Sequence, residues 1–203
     1  MIKNLVFDLG NVLINFLPDQ WLREKYGEAD GTFLMDAFCR SPLWVSLDRG
    51  DLTLPEVREK LLALYPERRA LLEDCLDNYY GMLTPIPGSV TLLKTLADRG
   101  WPLYYLTNYH AGAFQYLLDS CPWFDQFRGG VCSAHEGLVK PEPEIYLHLC
   151  RQEGLVPEET LFMDDSKENT AAAAALGFRT LTVDDPDQFP DRVLSLLSLP
   201  QRA

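Results

Sequence analysis

Short apolar runs of strand length recur along the chain, and between most of them apolar residues fall three and four positions apart. The first run, Lys3 to Asp8, ends at Gly10-Asn11, where the backbone must turn sharply. Comparable runs follow at Pro102 to Thr107, Gly130 to Cys132, Thr160 to Met163 and Phe178 to Val183. Between them, Ser89 to Arg99 carries Val90, Leu93, Leu96 and Ala97 at helical spacing and stops at Gly100, and Thr170 to Leu176 stops the same way at Gly177. Strands alternating with helices predict an α/β fold, a Rossmann-like doubly wound parallel sheet covered on both faces.

One stretch breaks the alternation. From about Asp19 to Gly81 the apolar residues, among them Trp21, Leu22, Phe33, Leu34, Phe38, Leu61, Leu62, Leu72 and Leu76, suggest helices with no strand between them. Two prolines in Thr84-Pro85-Ile86-Pro87-Gly88 stiffen the return and deny helix continuation. The expected organisation is a core of residues 1–17 and 84–203 with a small helical cap, residues 18–83, inserted after the first strand. There is no internal repeat and no low-complexity tract beyond the alanines at 171–175.

Composition narrows the classes. With 203 residues and 47% hydrophobic content the chain can bury one substantial core. A formal charge of -12 opposes encounter with nucleic acid or an anionic membrane, while leaving room for a local basic pocket that binds a small phosphate. The opening run is cut by Asp8 and reads as neither signal peptide nor membrane span. Five cysteines, an odd set without a C-x-x-C pair, predict reduced thiols and a cytoplasmic setting.

In an open parallel sheet, ligands sit beyond the carboxyl ends of the strands. Four polar clusters fall there: Asp8, Thr107-Asn108, Lys140 and Asp164-Asp165. Three carboxylates in one place repel unless a cation intervenes, and hard oxygen ligands favour magnesium. Lys140 would offset phosphate charge, and the Thr107 hydroxyl and Asn108 amide would donate to phosphate oxygens, leaving Asp8 as the nucleophile. Taken singly, each cluster has a plainer reading, as turn chemistry, a solvated lysine or the cap of the following helix. Their order along the chain favours the functional one. His110 and His135 lack a nucleophilic serine or cysteine partner and are expected at the surface or behind the site, with His110 near enough to Thr107 to touch substrate. Trp44, Asp48 and Arg49 are divided between cap packing and a role in shaping the leaving-group pocket.

The ordered set Phe7-Asp8-Leu9-Gly10-Asn11-Val12-Leu13, Leu106-Thr107-Asn108, Lys140-Pro141 and Met163-Asp164-Asp165-Ser166-Lys167-Glu168-Asn169 resembles the four motifs of the haloacid-dehalogenase-like hydrolase superfamily. With Arg49-Gly50-Asp51 and the K-P-E-P-E-I-Y stretch from Lys140, the wording resembles bacterial sugar-phosphate phosphatases of the alpha-D-glucose-1-phosphate type and is similar to the N-terminal phosphatase domain of soluble epoxide hydrolases. The resemblance implies that Asp8 is the nucleophile, that the Gly10 carbonyl and Asp165 hold magnesium with Asp164 assisting, and that Thr107, Asn108 and Lys140 bind phosphate. It also implies a small phosphorylated metabolite, a sugar phosphate, as substrate.

One position departs from that pattern. Most phosphatases of the superfamily carry a second aspartate two residues after the nucleophile as general acid and base, and this chain has Gly10. Metal binding through the position-10 carbonyl is kept, but the acid–base side chain is missing. The expected function is a magnesium-dependent phosphatase working through a phosphoaspartate on Asp8. The alternatives are a metal-independent 2-haloacid dehalogenase-type hydrolase or a phosphate-ester-binding protein with weak turnover.

Overall fold

The structure, a computed structural model, describes residues 1–199. Its centre is a five-stranded parallel sheet of β1 (Asn4–Phe7), β4 (Leu103–Thr107), β5 (Gly129–Cys132), β6 (Thr160–Asp164) and β7 (Arg179–Thr182), in the order β5-β4-β1-β6-β7. The middle strand β1 pairs Val6 with Tyr104 on one side and with Phe162 on the other. All five expected strands are present, because a strand covered on both faces has to be apolar at nearly every position.

The period-2 alternation of side chains divides the core into two layers. Leu5, Phe7, Leu103, Leu161 and Met163 face one layer, and Val6, Tyr104, Leu106, Val131 and Phe162 face the other. The second layer is closed by Ile145, Tyr146 and Leu149 of α9 (Pro143–Glu153) and by Ala173 of α10 (Lys167–Ala175). The first is closed by α6 (Pro87–Asp98) and α11 (Phe189–Leu196), through Leu92, Leu93, Leu96, Phe189 and Val193. Each leucine, isoleucine, valine or phenylalanine so buried contributes about 1.5–3 kcal/mol of burial free energy.

Between β1 and residue 82 the chain is largely helical: α1 (Pro18–Tyr26), α2 (Glu28–Leu34) running into a wider π turn at Met35–Cys39, α3 (Pro42–Arg49), α4 (Leu54–Leu64) and α5 (Arg69–Asn78). Three features were not expected from the sequence. A two-residue antiparallel ladder, β2 (Ile14–Asn15) with β3 (Thr84–Pro85), ties the entry of this segment to its exit, reinforced by Asn15 Nδ2 donating to Thr84 Oγ1 at 3.0 Å. In addition, α6 begins at Pro87, not Ser89: proline is favoured in the first helical turn, where its missing N–H costs nothing, so the Pro-rich return starts a helix instead of only stiffening a linker. Likewise α10 starts at Lys167, earlier than expected, because Ser166 Oγ accepts the Asn169 N–H at 3.3 Å and caps it. No helix of the described residues is long and apolar enough to cross a membrane.

Candidate active site

The carboxyl end of β1 places Asp8 at the middle of the sheet edge, and the turn after it is unusually tight. The backbone N–H groups of Leu13 and Ile14 both donate to the Leu9 carbonyl at 2.8 Å, and Asn11 takes a left-handed φ of 51°, which asparagine tolerates better than most residues. The Asn11 side chain exploits that geometry. Its Oδ1 accepts from the Phe16 N–H at 2.9 Å and its Nδ2 donates to Asp165 Oδ2 at 3.0 Å.

Asp8, Asp164 and Asp165 each present a carboxylate oxygen within 4.8 Å of the others. Lys140 Nζ lies 2.9 Å from Asp8 Oδ1 and 2.6 Å from Asp164 Oδ2, with its side chain 1% exposed. The Leu9 N–H also donates to Asp8 Oδ1, at 2.7 Å. Asp164 is fully engaged: besides Lys140 it accepts from the Ser166 N–H at 2.8 Å and from Asn169 Nδ2 at 3.0 and 3.1 Å. Asp165, half-buried, accepts from the Asn11 amide.

The charge balance is negative, with three carboxylates facing one ammonium. Burial pushes Asp8 up to about 7, Lys140 opposes this, and Asp164 adds to it. Burial likewise raises Asp165. For Lys140, desolvation works against the ammonium, yet Asp164 and Asp8 outweigh it and hold the group above its ordinary range. A divalent cation between Asp8 and Asp165 would turn this repulsion into attraction, and an all-oxygen donor set suits magnesium.

Asn108 proves to be spent mainly on placing Lys140. Its Nδ2 donates to the Lys140 carbonyl and its Oδ1 accepts the Lys140 N–H, each at 2.9 Å. One amide N–H remains for a ligand, as the expected donation to phosphate requires, and Asn108 lines the cavity at this site. Thr107 shows the opposite pattern: it is 1% exposed and its Oγ1 has no hydrogen-bond partner among the described residues. A buried hydroxyl without a partner costs about 1–3 kcal/mol; Thr107 does not itself line that cavity, but its neighbour Asn108 does.

Asp8, Gly10, Asn108, Lys140 and Asp165 line one cavity of about 210 Å³. Much of its remaining wall comes from residues 16–83 and from the start of α7 (Ala111–Ser120), among them Phe16, Trp44, Asp48, Tyr79, Leu83 and His110. His110 is 3% exposed and lines the cavity, so of the two places expected for it, at the surface or behind the site, it takes the inner one; burial lowers it to about 4 and keeps the imidazole neutral. It caps α7 by accepting the Ala113 N–H at Nδ1, and its Nε2 pairs with the Tyr79 hydroxyl. His135, on the single-turn helix α8 (Ser133–Glu136), is exposed. Arg49 does not line the cavity; its guanidinium grips both oxygens of Glu142 at 2.5 and 3.1 Å, two residues beyond Lys140. Sequence reasoning missed Asn11, Asn169, Phe16 and Tyr79 as parts of the site. The two asparagines lie inside the motif segments and could have been found there, whereas Phe16 and Tyr79 carry no local signal.

The family model described as haloacid dehalogenase-like hydrolase matches residues 2–177. The chain belongs to that family. Among relatives of this haloacid dehalogenase-like hydrolase, a sesquiterpene phosphatase of Aspergillus oryzae is 29% identical over 90% of both chains. The D-ribitol-5-phosphate phosphatase of Bacteroides thetaiotaomicron is 27% identical over 89% of this chain and 91% of its own. Among solved structures, a predicted hydrolase of the same family from Porphyromonas gingivalis aligns with a TM-score of 0.75 at 25% identity, covering 98% of this chain and 100% of its own. The magnesium complex of a family enzyme from Bacteroides thetaiotaomicron aligns with a TM-score of 0.71 at 26% identity, over 89% and 92% of the two chains.

Proposed function

We propose that this hydrolase is a magnesium-dependent phosphomonoesterase that works through an aspartyl phosphate on Asp8. The observation that carries the reading is the arrangement at the cavity floor. Asp8 Oδ1 is held by the Leu9 N–H at 2.7 Å and by Lys140 at 2.9 Å, which leaves Oδ2 as the attacking oxygen. The phosphatases and the magnesium complex among its relatives point the same way.

Asp8, Asp165 and the Gly10 carbonyl would hold magnesium, which neutralises phosphate charge. Lys140, fixed by Asn108 and Asp164, supplies a second positive charge to a phosphoryl oxygen. The unpartnered Thr107 hydroxyl donates to another. Asp8 Oδ2 attacks phosphorus in line, the ester oxygen departs, and water then releases phosphate from the aspartyl phosphate. Asp164, already saturated by three neighbours, acts on the site through Lys140 and Asn169.

The alcohol portion would sit against Trp44, Phe16 and Tyr79, with residues 18–83 serving as the cap that encloses it. Such ring faces pack against the C–H faces of a sugar, and a small sugar phosphate is the proposed substrate class. Phosphate release from a panel of sugar phosphates and isoprenoid phosphates, with magnesium and with chelator, tests both parts. Activity that survives chelation or the Asp8→Asn change sinks the mechanism; activity confined to isoprenoid esters sinks the sugar assignment.

A further inference from the structure

Gly10 leaves the proposed reaction with no side chain at the position where most family phosphatases carry an acid. Nothing in the backbone demands glycine there: among the described residues a Cβ at position 10 would meet only Phe16 Cβ, at 3.9 Å, an ordinary van der Waals contact. We propose that Asp48, delivered into the same cavity by α3, is the general acid for the leaving alcohol and then the general base for the attacking water. The proposal rests on the phosphatase reading of Asp8.

The fold holds the carboxylate of Asp48 in place from several sides. The Trp44 side chain and the His110 backbone N–H both donate to it. Its own carbonyl accepts from Ser133 Oγ at 2.5 Å, and that Ser133 oxygen takes the Tyr109 N–H at 3.0 Å. On the next residue, Arg49 clamps Glu142 in the segment that carries Lys140. Gly50 then closes α3 at φ 81° against the core, so near that a Cβ would stand 2.3 Å from the Ala134 carbonyl oxygen. Both the carboxylate and its backbone are thus tied to the core, in contrast with a side chain left on a loose helix end.

The ionisable groups around Asp48 are Lys140 after β5, Cys132 within β5, Tyr109 and His110 after β4, and Tyr79 after α5. Lys140 is the cation among them. Burial raises Asp48 to about 7, and the two hydrogen bonds and Lys140 pull it back only in part. Both protonation states are therefore populated near neutral pH, as a group that first gives and then takes a proton requires.

In the first step the bond between phosphorus and the ester oxygen breaks as Asp8 attacks, and the departing oxygen takes the proton of Asp48. In the second, the Asp48 carboxylate removes a proton from water as that oxygen bonds to phosphorus and the Asp8 carboxylate leaves. The sum is ester and water giving alcohol and phosphate, with Asp48 returned to its starting form.

The test compares an alkyl phosphate, glucose 6-phosphate, with p-nitrophenyl phosphate, whose leaving group departs without a proton. The Asp48→Asn enzyme should lose about 10²- to 10⁴-fold in kcat/KM on the alkyl ester and less than about 10-fold on the aryl ester. Adding Gly10→Asp to that variant should restore at least about 10-fold on the alkyl ester. An equal loss on both esters, no loss on either, or failure of the rescue overturns the assignment and leaves Asp48 a packing residue. A wild-type enzyme that releases phosphate from neither of these esters nor from any ester of the sugar and isoprenoid phosphate panel removes the phosphatase reading, and the proposal with it.

Discussion

The Thr107→Val substitution should make the ligand-free protein more stable and the enzyme worse. Thr107 is 1% exposed and its Oγ1 has no partner among the described residues, so the folded chain bears the desolvation of a hydroxyl without recovering a hydrogen bond. Valine has nearly the same shape, suits a strand, and removes the unpaired atom. Relief of that penalty is worth about 1 kcal/mol or more, which in a domain of this size raises Tm by about 2–4 °C per kcal/mol. The same change deletes a hydrogen bond to a charged phosphate oxygen, worth about 1.5–3 kcal/mol, so kcat/KM should fall about 10- to 150-fold. Urea denaturation of the ligand-free protein gives the first quantity and steady-state kinetics the second. A Thr107→Val protein that is less stable than wild type, or that keeps its kcat/KM within about twofold, refutes the idea that this hydroxyl waits for phosphate.

Lys140→Met leaves Asp164 and Asp8 buried without their cation and should cost about 3–5 kcal/mol in urea denaturation; a loss below about 1 kcal/mol contradicts the view that Lys140 balances that pair. His110 has a folded value of about 4 against 6.5 for the ordinary group. The unfolded chain therefore takes up the proton first, and the penalty is absent above pH 6.5 and grows as pH falls from there toward 4. At about pH 5 it reaches roughly 2 kcal/mol, so His110→Gln should lose that much less stability than wild type between pH 7.5 and 5, and identical losses contradict the assignment. Gly50→Ala should destabilise by more than about 1 kcal/mol, since it adds left-handed strain to a clash with the Ala134 carbonyl; a neutral result in thermal denaturation means that α3 is not pressed against the core as described.

The sheet was legible because its strands are buried on both faces, and runs such as Leu5-Val6-Phe7 have no other use for so dense an apolar stretch. The chemistry was legible for a related reason: charged residues at the ends of such strands, Asp8 and Asp164 above all, are too costly to bury without a purpose. What escaped depends on contacts distant in sequence or on very short elements. The β2–β3 ladder is two residues a side, below any periodicity that a window can detect. That Asn108 also positions Lys140 is invisible until the fold brings that residue, 32 positions on, against its amide. Arg49 looks like a pocket residue until Glu142, 93 residues away, is found in its grip. Asp48 and Arg49 are neighbours on α3, yet one lines the cavity and the other locks its rim. Adjacent helical residues point about 100° apart, so sequence adjacency cannot separate these roles before the facing surfaces are known.

The central claim is that Asp8 becomes phosphorylated during turnover. Rapid quenching of the enzyme with a phosphate ester and magnesium, followed by borohydride reduction and peptide mass spectrometry, tests it directly. An acyl phosphate on Asp8 is reduced to the homoserine side chain, and the account predicts that signal at position 8, formed with magnesium and lost with chelator. Turnover without that product at position 8, or trapping at any other residue, would contradict it.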